Sequence, residues 1–419
     1  MRRPSTHDAI VMGGGPAGTS AALSLARRGW AVAIVEKSSF PRRKVCGEYI
    51  SASNLGLLDR LDIGDAWRAE AGPEIRRVGL FSGDTSIEAK MPGAISRPAG
   101  REGFGRALGR DILDTLLLDA ARSAGAEVFQ PRRAVAIERD GACQAVRIEA
   151  TGGNSRDQAT ILRAPVIVAA HGSWEPGPLP SQLEKKSSPS DLLGFKAHFT
   201  RSWLAPDLMP LLTFPGGYGG MVHTDMSRVS LSCCVRFDRL QNLHRVAGHE
   251  AGDAVFAHIQ RTCRGVRETL AGANRVGAWL AAGPIRPGIR LRLVPGVFPV
   301  GNVAGEAHPV VAEGISMALQ GAWLLAQRLM AWDRAGRPRA APALRPPLGR
   351  PACVGPWWDR DRRPPPSVEI PTRNPSCRPT RHPPGTAAAP CAVCRCRCPG
   401  TSSAARWRAR RCGNTAIPQ

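Results

Sequence analysis

The start of the chain alternates between short apolar runs and a helical pattern. Residues 10–12 end an apolar run that predicts a buried strand, residues 17–28 are rich in alanine and predict a helix, and residues 31–35 form a second apolar run. The order strand, helix, strand is typical of a parallel βαβ unit. We therefore predict a Rossmann-like α/β domain at the start of the chain.

The same domain continues beyond this unit, because helical and strand patterns keep alternating. Arg110 precedes the next helical pattern, and Gly125 ends it. The pattern predicts a helix at 112–124, strands at 127–130 and 165–170, and a hairpin of residues 145–150 and 159–162 around a polar turn at 151–157.

After the apolar strand at 165–170 the pattern changes to that of antiparallel strands. Residues 194–200, 208–222 and 228–237 have strand composition with partial alternation and glycine breaks, which predicts a sheet with one apolar face. A short strand and a long helix with one apolar face follow, so the strand and helix pattern of the first domain resumes. We predict a discontinuous α/β domain at 1–190 and 285–335, with an inserted antiparallel β-sheet domain at 191–284.

The turn after the first strand carries glycines at the spacing of a phosphate-binding motif. Gly13 permits the tight turn, Gly15 lets the backbone approach a diphosphate, and Gly18 lets the helix pack closely on the strand. Pro16 suits the first helical turn, and the helix N-terminus offers free N–H groups to an anion. Glu36 follows the second strand, where an acid can bind both hydroxyls of an adenosine ribose. This order of features predicts a nucleotide diphosphate ligand.

Length and composition narrow the class of protein. With 419 residues the chain has room for two domains, and no apolar run approaches the ~20 residues that span a bilayer. The apolar stretch behind Arg2 and Arg3 is the nucleotide turn, so we do not expect a signal peptide. We expect a cytoplasmic protein without a transmembrane segment, leave peripheral membrane contact open, and find no nucleic-acid-binding motif in the body of the chain.

The last part of the chain differs from the rest. Residues 339–419 contain fifteen arginines, no lysine, three acidic residues, sixteen of the 37 prolines and seven of the 12 cysteines. With so few apolar residues this basic tail cannot bury a core, and we expect it to be disordered. Helical periodicity stops near Trp332, and the Arg, Pro and Ala content is typical of a GC-rich gene translated out of frame, so a shifted reading frame is our hypothesis. A functional basic arm and a zinc site at 391–398 are the alternatives, but the cysteine spacing there lacks a separate second pair and we assign no metal.

These motifs resemble the flavoproteins of the geranylgeranyl reductase and p-hydroxybenzoate hydroxylase-like superfamily. GGGPAG with Glu36 is similar to their FAD fingerprint, and RKVCGE at 43–48 is similar to a loop that lies by the flavin ring in reductase-like members. GNVAGEAHPVVAEGISMAL at 301–319 is similar to their second FAD motif, which domains that bind only NAD lack. The resemblance implies FAD as the cofactor, an FAD-binding domain from the two α/β segments, and a substrate domain from the inserted sheet.

The resemblance also implies which residues hold FAD. The glycine turn would contact the diphosphate, Glu36 the ribose and Arg110 the phosphate region, while residues 301–314 would cover the ribityl chain and the pyrimidine edge. The predicted cofactor-binding residues are Gly13, Gly15, Pro16, Ala17, Gly18, Glu36, Lys37, Arg43, Arg110, Gly301, Asn302, Gly314 and Ile315.

Several positions depart from the family pattern. Asn302 stands where most relatives have an aspartate, and its amide can still donate and accept hydrogen bonds. His171 replaces the acid of the usual A-D-G motif, so the electron donor, NAD(P)H or a reduced carrier, is undetermined. The Tyr and Trp of the reductases' Y-x-W-x-F-P signature are missing around residues 210–215, and the halogenases' W-x-W-x-I-P signature is absent.

Few side chains in the motifs are candidates for catalysis, which suits a reaction run by the cofactor. Cys46 and His308 each lie in a motif next to the flavin, and each is about equally typical of a packed structural residue. His171 is more typical of a hydrogen-bonded structural histidine than of a base.

We therefore predict an FAD-dependent oxidoreductase that acts on a hydrophobic small molecule. The leading hypothesis is a monooxygenase of an aromatic or polyketide-like substrate, and the second is a reductase of isoprenoid double bonds. A flavin-binding chain without turnover is the third, because the C-terminal segment is unusual. The substrate and the oligomeric state are open at this stage.

Overall fold

The computed structural model describes residues 7–95, 102–152, 159–173, 177–182, 188–247, 250–290 and 294–334. Most of the predicted polar turn at 151–157, and the whole segment 339–419 with its proposed disorder and frame shift, lie outside these residues. Within the described ranges, no helix has both the length and the apolar character needed to cross a membrane.

The described residues form eight α-helices and twenty-one strands. The helices are α1 (Pro16–Ala26), α2 (Leu55–Arg60), α3 (Gly64–Glu70), α4 (Arg110–Ser123), α5 (Phe237–Ala247), α6 (Ala251–Thr262), α7 (Arg264–Thr269) and α8 (Gly314–Arg334). The strands are β1 (Ala9–Met12), β2 (Val32–Val35), β3 (Tyr49–Ile50), β4 (Arg77–Ser82), β5 (Thr85–Lys90), β6 (Ala94–Ile95), β7 (Glu102–Gly103), β8 (Arg106–Ala107), β9 (Glu127–Phe129), β10 (Arg132–Asp140), β11 (Cys143–Ala150), β12 (Thr160–Ala164), β13 (Val166–Ala169), β14 (Leu192–Thr200), β15 (Leu208–Phe214), β16 (Gly217–His223), β17 (Val229–Arg236), β18 (Asn274–Ile285), β19 (Gly288–Ile289), β20 (Val297–Pro299) and β21 (Gly305–Glu306).

The predicted α/β domain is built on a parallel five-stranded sheet in the order β20-β13-β1-β2-β9. Its central strands are buried on both faces, which explains why they are apolar along their whole length. Helices α1, α4 and α8 pack on one face through residues such as Leu23, Leu117 and Leu319. The Rossmann-like fold predicted from the sequence is therefore confirmed.

The predicted hairpin is the antiparallel pair β11–β12, and β10 extends it to three strands. Val146, Ile148 and Leu162 of this small sheet pack against Ile10 and Ile167 on the other face of the five-stranded sheet. Both faces of the parallel sheet are thus covered.

A second, seven-stranded sheet has the order β18-β14-β17-β16-β15-β4-β5 and is antiparallel except between β15 and β4. One of its faces packs on the helices α5–α7, where Phe199 and Leu231 meet Val255 and Ile259. Strands β4 and β5 come from the region that the sequence analysis gave to the α/β domain. We propose that the substrate domain consists of residues 77–90 together with 192–285.

Candidate functional site

A cavity of about 330 Å³ lies between the carboxyl ends of the parallel strands and the seven-stranded sheet. Its walls are the glycine turn after β1, the loop before β3, parts of β15–β17, and the segment that leads into α8. Ligands of open α/β sheets bind outside the carboxyl ends of the strands. This cavity is therefore the candidate site.

Backbone atoms approach the glycines of the turn after β1 closely, as the glycine spacing predicts. Gly13 has a φ of +113°, and a Cβ there would lie 2.5 Å from the Ala170 carbonyl oxygen. A Cβ on Gly18 would lie 1.9 Å from the carbonyl oxygen of Gly13, so α1 packs on the turn only because residue 18 has no side chain. Gly15 is different, because a Cβ there would meet only Arg110 Nη2 at 3.7 Å. Gly13 and Gly15 line the cavity, and Gly18 lies buried behind them.

The N-terminus of α1 points to an anionic ligand. Pro16 and Ala17 begin the helix and line the cavity. The preceding Gly15 has no side chain to cap the helix, and the first turn contains no acidic residue. The free N–H groups and the positive end of the helix dipole are therefore left for a ligand such as a diphosphate.

Glu36 lies at the carboxyl end of β2 and is 4% exposed. Its Oε2 accepts a hydrogen bond from the Gly14 N–H at 2.7 Å, and its Oε1 accepts one from the Ser38 N–H at 2.9 Å. These bonds fix the carboxylate at the edge of the cavity next to the glycine turn. Arg42 Nη2 also lies 3.6 Å from Oε2, and Oε1 keeps a further acceptor position, as the predicted ribose contact requires.

Two mostly buried arginines form a cluster beside the turn. Arg110 donates two hydrogen bonds to Asp114, at 2.7 and 2.8 Å, and Arg42 Nη1 lies 3.1 Å from the same carboxylate. Burial is the largest influence on the pKa of Arg110 and lowers it, but Asp114 and Cys46 together outweigh burial and raise it above its ordinary value. Arg42 Nε is buried and has no hydrogen-bond partner among the described residues. A buried donor without a partner, beside an uncapped helix N-terminus, fits an anionic group.

The two other predicted cations of this region lie in different places. Lys37 lines the cavity. Arg43 is not among the lining residues, and its Nη1 donates a hydrogen bond to the Val276 carbonyl on β18 at 3.1 Å. We therefore propose Arg42, rather than the predicted Arg43, as the arginine of this loop that serves the ligand.

The loop before β3 is tied to the seven-stranded sheet. Lys196 on β14 and Ser232 on β17 are cross-strand partners. Lys196 Nζ donates to the Lys44 carbonyl at 3.3 Å, and Ser232 Oγ donates to the Cys46 carbonyl at 3.2 Å. These bonds hold the loop against the sheet, and Cys46 lines the cavity between the two domains.

Glu48 ends this loop in a buried ion network. Its carboxylate pairs with Lys196 and lies 2.8 Å from His198 Nε2, and all three side chains are at most 1% exposed. Its Oε1 also accepts the Arg110 N–H at the start of α4, at 2.9 Å. Burial, the largest influence, raises the pKa of Glu48, but Lys196 and His198 outweigh it and lower the pKa from 4.5 to about 2. One ionised carboxylate therefore links the loop, α4 and the seven-stranded sheet.

Sequence reasoning missed Arg42, Glu48, Lys196 and His198. A signal for the last two exists, because they alternate on β14 with the apolar residues of the helix-covered face. Two charged or polar residues at i and i+2 on an otherwise buried strand indicate a polar inner face. Their partner Glu48 is about 150 positions away in the chain. It ends the RKVCGE loop at 43–48 that the sequence analysis compared with a flavin loop, but no local pattern indicates that it pairs with β14.

The segment after β20 forms the far end of the cavity. Gly301 has a φ of +61°, and the Asn302 amide donates to Glu306 Oε1 at 3.1 Å. The first residue of α8, Gly314, faces open space, since a Cβ there would have no neighbour within 4 Å. The predicted residues Gly301, Asn302, Gly314 and Ile315 all line the cavity.

The seven-stranded sheet supplies a mainly apolar wall. Met209 and Leu211 on β15 line the cavity, with Tyr218 on β16 and Cys234 on β17. Tyr218 and Cys234 are cross-strand partners, and burial raises the pKa of the Cys234 thiol to about 11. The polar groups of this wall are therefore neutral hydrogen-bonding groups at physiological pH.

The two cavity histidines have different surroundings. His308 stacks on Tyr218 with ring centroids 5.2 Å apart and an interplanar angle of 26°, and its Nδ1 lies 3.5 Å from the Tyr218 hydroxyl. His171 Nε2 lies 2.8 Å from Ser181 Oγ, and its Nδ1 lies 3.0 Å from the Gly172 carbonyl. Both rings line the cavity. The hydrogen bonds of His171 agree with the structural role expected for it.

The chain is similar in sequence and in structure to several known proteins. A family model described as an FAD binding domain matches residues 6–237. Menaquinone reductase of Mycobacterium tuberculosis is 33% identical over 157 residues, which are 36% of this chain and 36% of that protein, so the match spans about a third of the relative. Digeranylgeranylglycerophospholipid reductase of Methanocaldococcus jannaschii is 23% identical over 329 residues, 75% of this chain and 74% of that protein. The solved structure of a myxobacterial chondrochloren halogenase has a TM-score of 0.64 at 23% identity, covering 80% of this chain and 76% of that one, and shows the same fold.

Proposed function

Because the chain belongs to the FAD binding domain family of FAD-dependent oxidoreductases, we propose that it reduces a carbon–carbon double bond of a hydrophobic small molecule. The family membership confirms the resemblance and the FAD cofactor inferred from the motifs. The choice of reduction over hydroxylation rests on the chemistry of the cavity.

The residues of the cavity fit FAD. The turn at Gly13 and Gly15, with the N-terminus of α1 and the arginine cluster, would hold the diphosphate, and Glu36 would bind the ribose. The segment at Asn302 and the start of α8 would hold the flavin end. When bound, the flavin supplies hydride transfer.

One observation supports reduction most directly: each carboxylate of the cavity is already engaged. Glu36 accepts two backbone N–H groups, Glu48 pairs with Lys196, and Glu306 pairs with Arg290 at 2.9 Å. Hydroxylation of a phenol is helped by a base that removes the phenolic proton, and no described carboxylate of the cavity is free for this task. Double-bond reduction needs only an apolar binding surface and a proton donor, and the wall formed by β15–β17 offers both.

Two of the relatives support the same conclusion, because their names describe reduction of menaquinone and of a digeranylgeranyl lipid. Both compounds are hydrophobic, which suits the apolar wall. Hydroxylation stays the second candidate, because His308 is one group at the cavity that could act as a base toward an aromatic substrate.

The test begins with the FAD-loaded protein, reduced by dithionite without oxygen. It is mixed with a menaquinone that has an unsaturated side chain, with a geranylgeranyl glycerol ether, or with an apolar phenol. Reoxidation of the flavin is followed by its visible absorbance, and the products are analysed by mass spectrometry. Addition of two hydrogen atoms to a carbon–carbon double bond of the isoprenoid chain, with no oxygen atom gained, is the expected result. A product that gains an oxygen atom only in air would move the assignment to hydroxylation.

A further inference from the structure

We propose that the open face of strands β4 and β5 binds the isoprenoid chain of a long substrate where that chain leaves the cavity. This inference rests on the proposed reductase function and adds a second binding surface to it. The surface, the apolar strip, crosses the seven-stranded sheet from the cavity wall to the edge strand. It consists of two rows of cross-strand neighbours, which are Leu211, Leu80 and Ile87, and Met209, Val78 and Ala89.

The register of the strands places both rows on one face of the sheet. Leu211 on β15 pairs with Leu80 on β4, and Leu80 pairs with Ile87 on β5. Leu211 lines the cavity, and directly paired residues point to the same face of a sheet. The second row starts in the same way from Met209, which also lines the cavity. The apolar strip is therefore a continuation of the cavity wall.

The opposite face of β4 and β5 is polar at the edge of the sheet. Phe81 on β4 marks this face, because it belongs to the core that the sheet forms with helices α5–α7. On β5 the same face carries Ser86, Glu88 and Lys90, and Glu88 pairs with Arg77 at 2.6 Å. A sheet with one face in solvent normally has its apolar residues on the covered face. In β5 they lie on the open face instead, which indicates that an apolar ligand covers them.

The apolar strip reaches the protein surface with a polar border. Leu80 is 37% exposed and Ile87 is 59% exposed, and β5 is the edge strand of this sheet in the described part of the chain. The next row on the same face consists of Thr213, Ser82 and Thr85, which border the strip with hydroxyl groups. A continuous exposed apolar surface with a polar rim is typical of a binding groove.

The chemistry of the apolar strip fits a linear hydrocarbon chain. None of its side chains carries a charge, so the strip binds through the burial of apolar surface alone. The cavity also has to hold FAD, so a long substrate extends beyond it. Neighbouring strands are about 4.8 Å apart, and the path from β15 to β5 therefore matches roughly two isoprenoid units. Because the strip ends at an open edge, it sets no upper limit to the length of the chain.

The experiment measures binding rather than turnover. The oxidised FAD-loaded protein is titrated by calorimetry with geraniol, farnesol and geranylgeraniol, alcohols with the same head group whose chains lengthen by one isoprenoid unit at each step. Wild-type protein is expected to bind geranylgeraniol about 10²-fold more tightly than geraniol, because the added units bury apolar surface on the strip. In Ile87→Asn the ratio of these two affinities is expected to fall about tenfold.

Ile161→Asn is the matched control. Ile161 lies on β12, is 45% exposed and is not among the residues that line the cavity. The control removes an equally exposed apolar side chain and should keep the wild-type ratio of affinities. Sedimentation of wild-type protein and of Ile87→Asn should give the same oligomeric state, and both should keep their FAD content.

The outcomes separate this proposal from the reductase function. An affinity that does not rise with chain length, a ratio that Ile87→Asn leaves unchanged, or an equal loss in Ile161→Asn would overturn the apolar strip as the chain site. A change from dimer to monomer in Ile87→Asn would also overturn it, because the strip would then join two copies of the chain. The reductase function is tested separately by the reduction products. If no prenylated compound is reduced but the ratio depends on Ile87, the reductase function fails and the chain site stands.

Discussion

Replacing Glu48 by glutamine tests the buried ion network that joins the loop before β3 and the start of α4 to the seven-stranded sheet. The change keeps the size of the side chain and removes its charge, so the Lys196 ammonium, 1% exposed, loses its ionised partner and has only neutral acceptors, such as the Lys44 carbonyl at 3.3 Å, among its contacts in the described residues. Removing one partner of a buried ion pair costs about 3–5 kcal/mol. The lowered pKa gives a similar value, because a fall from 4.5 to about 2 corresponds to about 3 kcal/mol at neutral pH.

The sign of the pH dependence follows from the same shift. The pKa of Glu48 is lower in the folded protein than in the unfolded chain, so its contribution to stability is complete above about pH 4.5 and is lost as the pH falls toward 2. The difference in the free energy of unfolding between wild type and Glu48→Gln is therefore largest at neutral pH. It should shrink steadily below pH 4.5.

Urea unfolding of the protein, followed by tryptophan fluorescence at pH 7 and pH 3.5, measures this difference. Glu149→Gln is the control, because its carboxylate is 37% exposed and lies 3.9–4.0 Å from two surface arginines, and a change within about 0.5 kcal/mol is expected. The double variant Glu48→Gln/Lys196→Met should recover part of the lost stability, because no unpaired charge remains. If Glu48→Gln is as stable at pH 7 as Glu149→Gln, the argument for a stabilising buried pair is refuted.

Three further predictions concern the nucleotide site. Gly15→Asp should fold, because a Cβ there meets only Arg110 at 3.7 Å, but it should bind no FAD, since its carboxylate would face the diphosphate; a yellow purified protein would contradict this. Gly18→Ala should lose both stability and FAD, because its Cβ would lie 1.9 Å from the Gly13 carbonyl, and thermal unfolding with and without FAD distinguishes it from Gly15→Asp. Arg42→Met should weaken FAD binding in fluorescence titrations, because it removes the Arg42 Nε that has no partner among the described residues. Arg43→Met is the control and should leave FAD binding unchanged, because Arg43 bonds the Val276 carbonyl. An equal loss of FAD affinity in both variants would show that Arg42 has no special role in binding the cofactor.

Local patterns in the sequence were sufficient for the nucleotide-binding half of the protein. The glycine turn, its uncapped helix and the acid after β2 are close together in the chain. The glycines are required because backbone atoms approach them closely, and the free helix N-terminus is what an anionic ligand needs. The fully apolar strands also indicated a parallel sheet buried on both faces, because that burial leaves no polar face. The return of the chain to the α/β domain at residue 301 could be predicted, because a second glycine-rich segment leads into a helix there.

Only the tertiary structure decided how the second sheet is assembled and what it places at the cavity. Strands β4 and β5 join this sheet from a distant part of the chain, and strand composition alone does not specify which strand will be the partner. Glu48 and His198 are 150 positions apart, and Tyr218 and His308 are 90 positions apart. A periodic pattern reports which face of an element is buried, whereas long-range register decides which two polar groups meet there. The motifs therefore determined the cofactor, and the packing of the seven-stranded sheet on the parallel sheet determined which other groups line the cavity.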